Sequence, residues 1–127
     1  MDFADVVKEH CGIPFERLRI VRELDALGMF SIHRGVIFIF AVWSGPSIIA
    51  FRRFTQVLSR INTDGLDLAV LNTDCFSSEA GIALWGRNVG GGGETLWIRD
   101  GVVVGRALLY VANTEPEVVK LTQQLLD

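Results

Sequence analysis

Residues 43–47, Trp43-Ser44-Gly45-Pro46-Ser47, place two hydroxyls three positions apart around a Gly-Pro step. At the start of a helix such hydroxyls accept from the first free main-chain N–H groups. As nucleophiles they would need a base, and the chain offers His10 and His33. A Ser44–His33–Asp74 triad can be written down, but no G-x-S-x-G elbow accompanies it. The two thiols, Cys11 and Cys75, are 64 positions apart and form no disulfide framework. Cys75 follows a buried strand and is the candidate reactive thiol. Cys11 falls at a helix C-terminus, whose polarity disfavours a thiolate, and reads as inert packing. Residues 90–93 are four consecutive glycines. They lack the preceding strand, following helix and lysine of a phosphate loop, and so read as flexible loop. Histidines and acidic residues show no metal-ligand spacing, so neither metal nor cofactor is expected. Arg52, Arg53 and Arg60 read as a solvated helix face.

The elements that must position these groups follow from hydrophobic periodicity. Asp2 can cap a helix to about residue 11, with Phe3, Val6, Val7 and His10 at helical spacing. Leu18 and Ile20 alternate with Arg17 and Arg19 as a half-exposed strand. Residues 25–34 read as a short helix, with a strand over 29–33 turning at Arg34-Gly35 as the alternative. Residues 36–42 are apolar on both faces, as in a central strand covered by helices. A helix follows, with Phe51, Phe54, Leu58 and Ile61 on one stripe and the arginines opposite. Residues 66–71 form a second buried strand, completing a right-handed parallel βαβ unit. A helix over 77–84 comes next. Strands over 95–99 and 102–111 then flank Asp100-Gly101, the favoured dipeptide of a two-residue hairpin. Thr114-Glu115-Pro116-Glu117 is a capping-box sequence that opens a closing helix with Val118, Leu121 and Leu125 inward. Of the tryptophans, Trp97 alternates on a covered strand and reads as core.

Composition bounds the classes. The chain has 127 residues, half of them hydrophobic, and a formal charge of −3. That suits one domain over residues 1–127, and it excludes disorder. The mild acidity gives no reason to expect nucleic acid. The longest apolar run, residues 36–43, is eight residues long, where a membrane helix needs about 20. Acidic residues near the start replace the positive region of a secretory signal, so the expectation is a cytoplasmic protein with no membrane partner.

These motifs in this order resemble the thioredoxin-like superfamily. Trp43-Ser44-Gly45-Pro46-Ser47 resembles the W-C-G-P-C signature with serine at both cysteine positions. Residues 68–74, ending Asn72-Thr73-Asp74, look like the next family strand. Thr95-Leu96-Trp97-Ile98 with Asp100-Gly101 is similar to the strand after the family's cis-proline and its hairpin. The match runs from about residue 36 to the end; residues 1–35 align loosely, as a divergent N-terminal helix and strand. The resemblance implies a three-layer α/β/α sandwich with a central mixed sheet of about four to five strands.

Departures from the family pattern redirect the function. Thiol–disulfide exchange needs an attacking thiolate and a resolving thiol, and serines supply neither. Phe38 stands where the family buries a proton-transferring Asp. Glu94 stands at the cis-proline position, where a trans bond is expected because a non-proline cis bond costs about 3–4 kcal/mol. Arg52 stands at the kink proline. The resemblance then implies a redox-inactive module that holds a protein or peptide with Trp43, Ser44, Gly45, Pro46, Ser47, Asp74, Glu94 and Thr95. Trp43 would be the apolar anchor, and the loop before Thr95 would offer backbone pairing. Two alternatives remain open: a monothiol or peroxide-type oxidoreductase using Cys75, and a structural or oligomerising subunit with a vestigial site.

Overall fold

The computed structural model describes residues 2–21, 32–75, 85–86, 90–111 and 114–127. Helix α1, Phe3–His10, starts where the Asp2 carboxylate accepts the Asp5 N–H at 2.9 Å, the expected cap. A short turn at Phe15–Arg17 leads into β1, Leu18–Val21. Then come β2, Arg34–Phe40, helix α2, Gly45–Leu58, and β3, Asp67–Asn72. Strands β4, Glu94–Arg99, and β5, Val102–Leu108, precede the last helix, α3, Thr114–Leu126.

The five strands form one mixed sheet in the order β1-β3-β2-β4-β5. Strand β3 runs parallel to both β1 and β2, with Phe38 beside Val70 and Phe40 beside Asn72. Strand β4 is antiparallel to β2 and β5. The parallel βαβ unit and the antiparallel hairpin thus stand in the expected order. Asp100 and Gly101 have φ of 51° and 75°, the positive values that a type I′ turn requires.

Some expectations change. Arg34 opens β2 opposite Arg99 and is neither the end of a helix nor part of a turn. The rest of that stretch, up to residue 31, lies outside the described residues. Gly35 disguised the strand. A Cβ there would approach Ile32 to 2.7 Å and the Asp67 carbonyl to 2.8 Å, so the strand needs glycine where the sequence reads a breaker. Strand β5 stops at Leu108, short of Val111, because the next N–H groups, of Leu109 and Tyr110, donate to the glycine loop. Thr114 is the first residue of α3 itself, and its hydroxyl donates to the Leu109 carbonyl at 3.0 Å rather than closing a capping box.

The core has two parts, one on each face of the sheet. On one face, α1, α2 and α3 cover Phe38, Phe40, Val70 and Trp97. Phe38 stacks on Phe54 at 5.6 Å and meets Phe51 edge-on at 5.1 Å. Burying each such ring contributes about 1.5–3 kcal/mol, which fixes α2 against β2. Trp97 is fully buried, as expected, and its indole N–H donates to Thr122 at 3.1 Å. The opposite face carries Ile37, Ile39, Ala69, Leu71, Leu96 and Ile98, with Trp85 packed on it. The helix expected over 77–84 lies outside the described residues. No described helix is long and apolar enough to cross a membrane.

Candidate functional site

Strands β2 and β3 end, and β4 begins, at one edge of the sheet, so the topology gathers every nominated residue there. Trp43 to Ser47 link β2 to α2, Asp74 and Cys75 lie in the turn Thr73–Cys75 after β3, and Glu94 and Thr95 open β4. In an open α/β sheet this is the edge where ligands collect.

Ser44 is the N-cap of α2, and its Oγ accepts the Ser47 N–H at 3.3 Å. The same hydroxyl donates to the Gly91 carbonyl at 2.6 Å. Ser47 Oγ accepts the Ala41 N–H at 3.0 Å, which fastens the end of β2 to the first turn of α2. Pro46 sits in that first turn, where a missing N–H costs nothing. The two hydroxyls are therefore structural: Ser44 is 7% exposed and Ser47 fully buried.

What covers Ser44 is the glycine loop, and the sequence reading did not foresee its order. The Glu94 carboxylate is 2% exposed and accepts the N–H groups of Gly90 at 2.5 Å and Gly92 at 2.9 Å. Paired charge-assisted bonds of this kind relieve the cost of burying a carboxylate. The Gly92 and Gly93 carbonyls accept from Tyr110 and Leu109 at 3.1 Å each. The Thr95 hydroxyl donates to Gly93 at 3.0 Å. At Gly93, φ is 78° and a Cβ would stand 2.5 Å from that of Ala50 on α2, so only glycine fits. Gly91 lies so close to Ser44 and Trp43 that a Cβ would be 2.9 Å from one and 3.1 Å from the other. The loop is thus a fastened cover, and the signal was a carboxylate directly after four glycines. The Gly93–Glu94 bond is trans, as expected.

This geometry sets the nominated residues at two depths. Ser44, Ser47, Glu94 and Thr95 are buried and offer little or no outer surface. The loop's carbonyls at Gly91, Gly92 and Gly93 are already hydrogen-bonded within the chain, so the backbone pairing expected before Thr95 is occupied internally. Trp43, Gly45, Pro46 and Asp74 face outward, and Trp43 is 64% exposed. Ile49, Tyr110 and Val111, none of them nominated from sequence, are also exposed apolar residues near this edge.

The other candidates separate. His33 pairs with Asp100 at the hairpin, on the opposite edge from Ser44, across the roughly 23 Å length of a seven-residue strand, so no triad forms. Cys75 ends the turn after β3, and its side chain lies outside the described residues. Cys11 caps the C-terminus of α1, and burial pushes its thiol above the usual range against a smaller opposing effect of the Ile13 backbone. With Glu9, His10, Gly12, Arg52 and Gln56 it lines an open hollow of about 270 Å³ far along α2 from Ser44. There Arg52 Nε donates to His10 Nδ1 at 2.7 Å, so the family's kink position here ties α2 to α1. Phe38 lies fully buried between aromatic rings, with no ionisable group in its place. Among the described residues, no group of His, Cys, Asp or Glu is arranged to hold a metal.

No family model and no curated protein matches the chain. Solved structures do. The thioredoxin of Malassezia sympodialis (Mala s 13), described as a member of a pan-allergen family, is similar with a TM-score of 0.66 and 14% identity over 87% of this chain and 91% of that one. The reduced thioredoxin of Schistosoma mansoni gives 0.60 and 16% over 85% and 97%. A thioredoxin of Trypanosoma brucei brucei gives 0.59 and 16% over 84% and 88%. With identities this low the likeness concerns architecture, and the chain has a thioredoxin-like fold.

Proposed function

We propose that the chain is a redox-inactive, thioredoxin-like binding module that holds a protein or peptide segment against the face carrying Trp43. The observation that carries this reading is Trp43 standing 64% exposed beside a Ser44 hydroxyl tied down by Gly91. An indole left in water next to a rigid, sealed motif can gain apolar burial from a partner without reorganising the site. Covering it would contribute about 2–3 kcal/mol. Both motif positions carry hydroxyls, and neither can supply the thiolate or the resolving thiol of dithiol exchange. Gly45, Pro46 and Asp74 border the contact, while Ser44, Ser47, Glu94 and Thr95 hold its shape.

A selection of displayed random dodecapeptides against the intact protein tests this reading, with an insulin-reduction assay alongside. The expected result is binders that lose about thirtyfold or more in affinity against Trp43→Ala, and no reductase turnover. Selection that returns no Trp43-dependent binder rejects the module. A second reading is favoured by the position of Cys75, on the same sheet edge as Ser44. In that reading Cys75 acts as a lone thiol, and turnover lost in Cys75→Ala would establish it in place of binding.

A further inference from the structure

We propose that the partner segment docks along the outer ridge of α2 and is acidic: an apolar anchor followed by aspartates or glutamates. The inference rests on the binding reading above and names the chemistry of what is bound. Pro46, Ile49, Arg53 and Gln56 recur at intervals of three and four, so they form one stripe of α2, and all four are exposed. Trp43 stands at the head of this stripe. Ile49 is 41% exposed, in contrast to Ala50, Phe51 and Phe54, which face the core. The ridge therefore begins apolar and turns basic one helical turn later.

Charge identifies the occupant. From residue 45 to residue 63 the sequence has no Asp or Glu, yet it contains Arg52, Arg53 and Arg60, in a chain whose net charge is −3; the acidic Glu9 of α1 lies on the Arg52 and Gln56 side of the helix. Arg52 of α2 is engaged by His10, and Arg60, just beyond the helix, lies 3.6 Å from Glu115 on α3. Arg53 is exposed and has no hydrogen-bond or ion-pair partner among the described residues. An isologous contact with its two-fold axis at Arg53 would oppose arginine to arginine, so like charges disfavour self-association centred there. From Pro46 to Arg53 the helix rises about 10 Å, the span of about three extended residues. The sealed glycine loop sends an occupant this way, since its main chain is already bonded to Ser44, Glu94, Leu109 and Tyr110.

Fluorescence anisotropy on the intact protein decides the matter. The probes are a fluorescein-labelled hexapeptide of three apolar residues followed by three glutamates, and its counterpart ending in three lysines. The acidic peptide should bind more tightly by about fivefold or more at low salt, with the gap closing as ionic strength rises. Arg53→Glu, a change at an exposed position, should abolish or reverse that preference, and Ile49→Asp should weaken both peptides. Equal binding of the two peptides, or a preference untouched by Arg53→Glu, overturns the acidic-ridge assignment even if Trp43-dependent binders exist. Loss of every Trp43-dependent binder overturns the underlying module instead. Arg53-dependent binding to vesicles with 30% phosphatidylserine but not to the peptide, or a sedimenting dimer that buries Trp43, also overturns it.

Discussion

The Ser44 hydroxyl and the Gly91 carbonyl oxygen lie 2.6 Å apart across 47 residues of chain. This bond joins the start of α2 to the loop ahead of β4, the two pieces between which a thioredoxin-like fold would present reactive groups. Here one hydroxyl caps the helix and latches the loop at once, so a single side chain fastens the loop over the start of α2.

Placing thiols at these two positions should therefore not create access. In the S44C/S47C variant position 44 remains beneath the glycine loop and position 47 buried at the end of β2, and a thiol is a weaker acceptor than a hydroxyl for the N–H of residue 47. The introduced thiols should react with an aromatic disulfide reagent at least about tenfold more slowly in the native protein than in urea, because reaction waits on local opening. Insulin reduction should stay near background. Rapid native-state reaction at position 44 would show that the loop does not cover it.

Glu94→Gln removes the charge that organises the loop while nearly preserving volume. Only one oxygen remains to accept, and the new amide brings donors to a place already supplied with the Gly90 and Gly92 N–H groups. A loss of about 1–3 kcal/mol is expected, in the range for a buried charged hydrogen bond. Urea unfolding followed by tryptophan fluorescence, dominated by the change at buried Trp97, checks it. An unchanged midpoint would mean that the loop holds without the carboxylate.

The sequence made the fold legible wherever periodicity and burial coincide. Residues of β2 and β3 are apolar on both faces because both faces are covered, and the α2 stripe of Phe51, Phe54 and Leu58 points at Phe38 and Phe40. Asp100-Gly101 marked the hairpin through its own backbone preference. That these residues meet at one edge of the sheet was legible, but the hydrogen bonds between them were not. Which way a glutamate after four glycines turns depends on N–H groups whose positions are set by α2 and by Tyr110, elements distant in the chain. The same holds for Gly35, required by the close approach of Ile32 and Asp67. Ile49 falls on the polar side of an amphipathic helix and is invisible to any rule that looks for the core side, while Arg53 beside it reads from sequence only as part of a solvated face.

Gly93→Ala should be the most disruptive single change in the loop. Its Cβ would stand 2.5 Å from the Ala50 Cβ, a short and rigid side chain that cannot turn aside, and the backbone is already at φ 78°. Steric and backbone strain together should cost about 2–4 kcal/mol. Thermal unfolding of Gly93→Ala beside Ala50→Gly/Gly93→Ala separates the two causes: the double change should recover the steric part only. No recovery would place the whole cost in the backbone.

Cys11 supplies a pH dependence whose sign is fixed by its burial. The thiol is shifted above its ordinary value near 9 chiefly by desolvation, so the folded state favours the neutral form more than the unfolded state does. Such a group contributes its full stability below the unfolded pKa, and that contribution is lost as pH rises through the folded pKa. Stability in urea should accordingly decline above about pH 9, with a shallower decline in Cys11→Ala measured over the same range. The Cys11→Ala chain also keeps Cys75 as its one remaining thiol. In that chain, peroxide consumption and insulin reduction should both stay at background if the protein is a binding module. Turnover there that disappears on Cys75→Ala would instead make Cys75 the working group, and Trp43 a wall of its site.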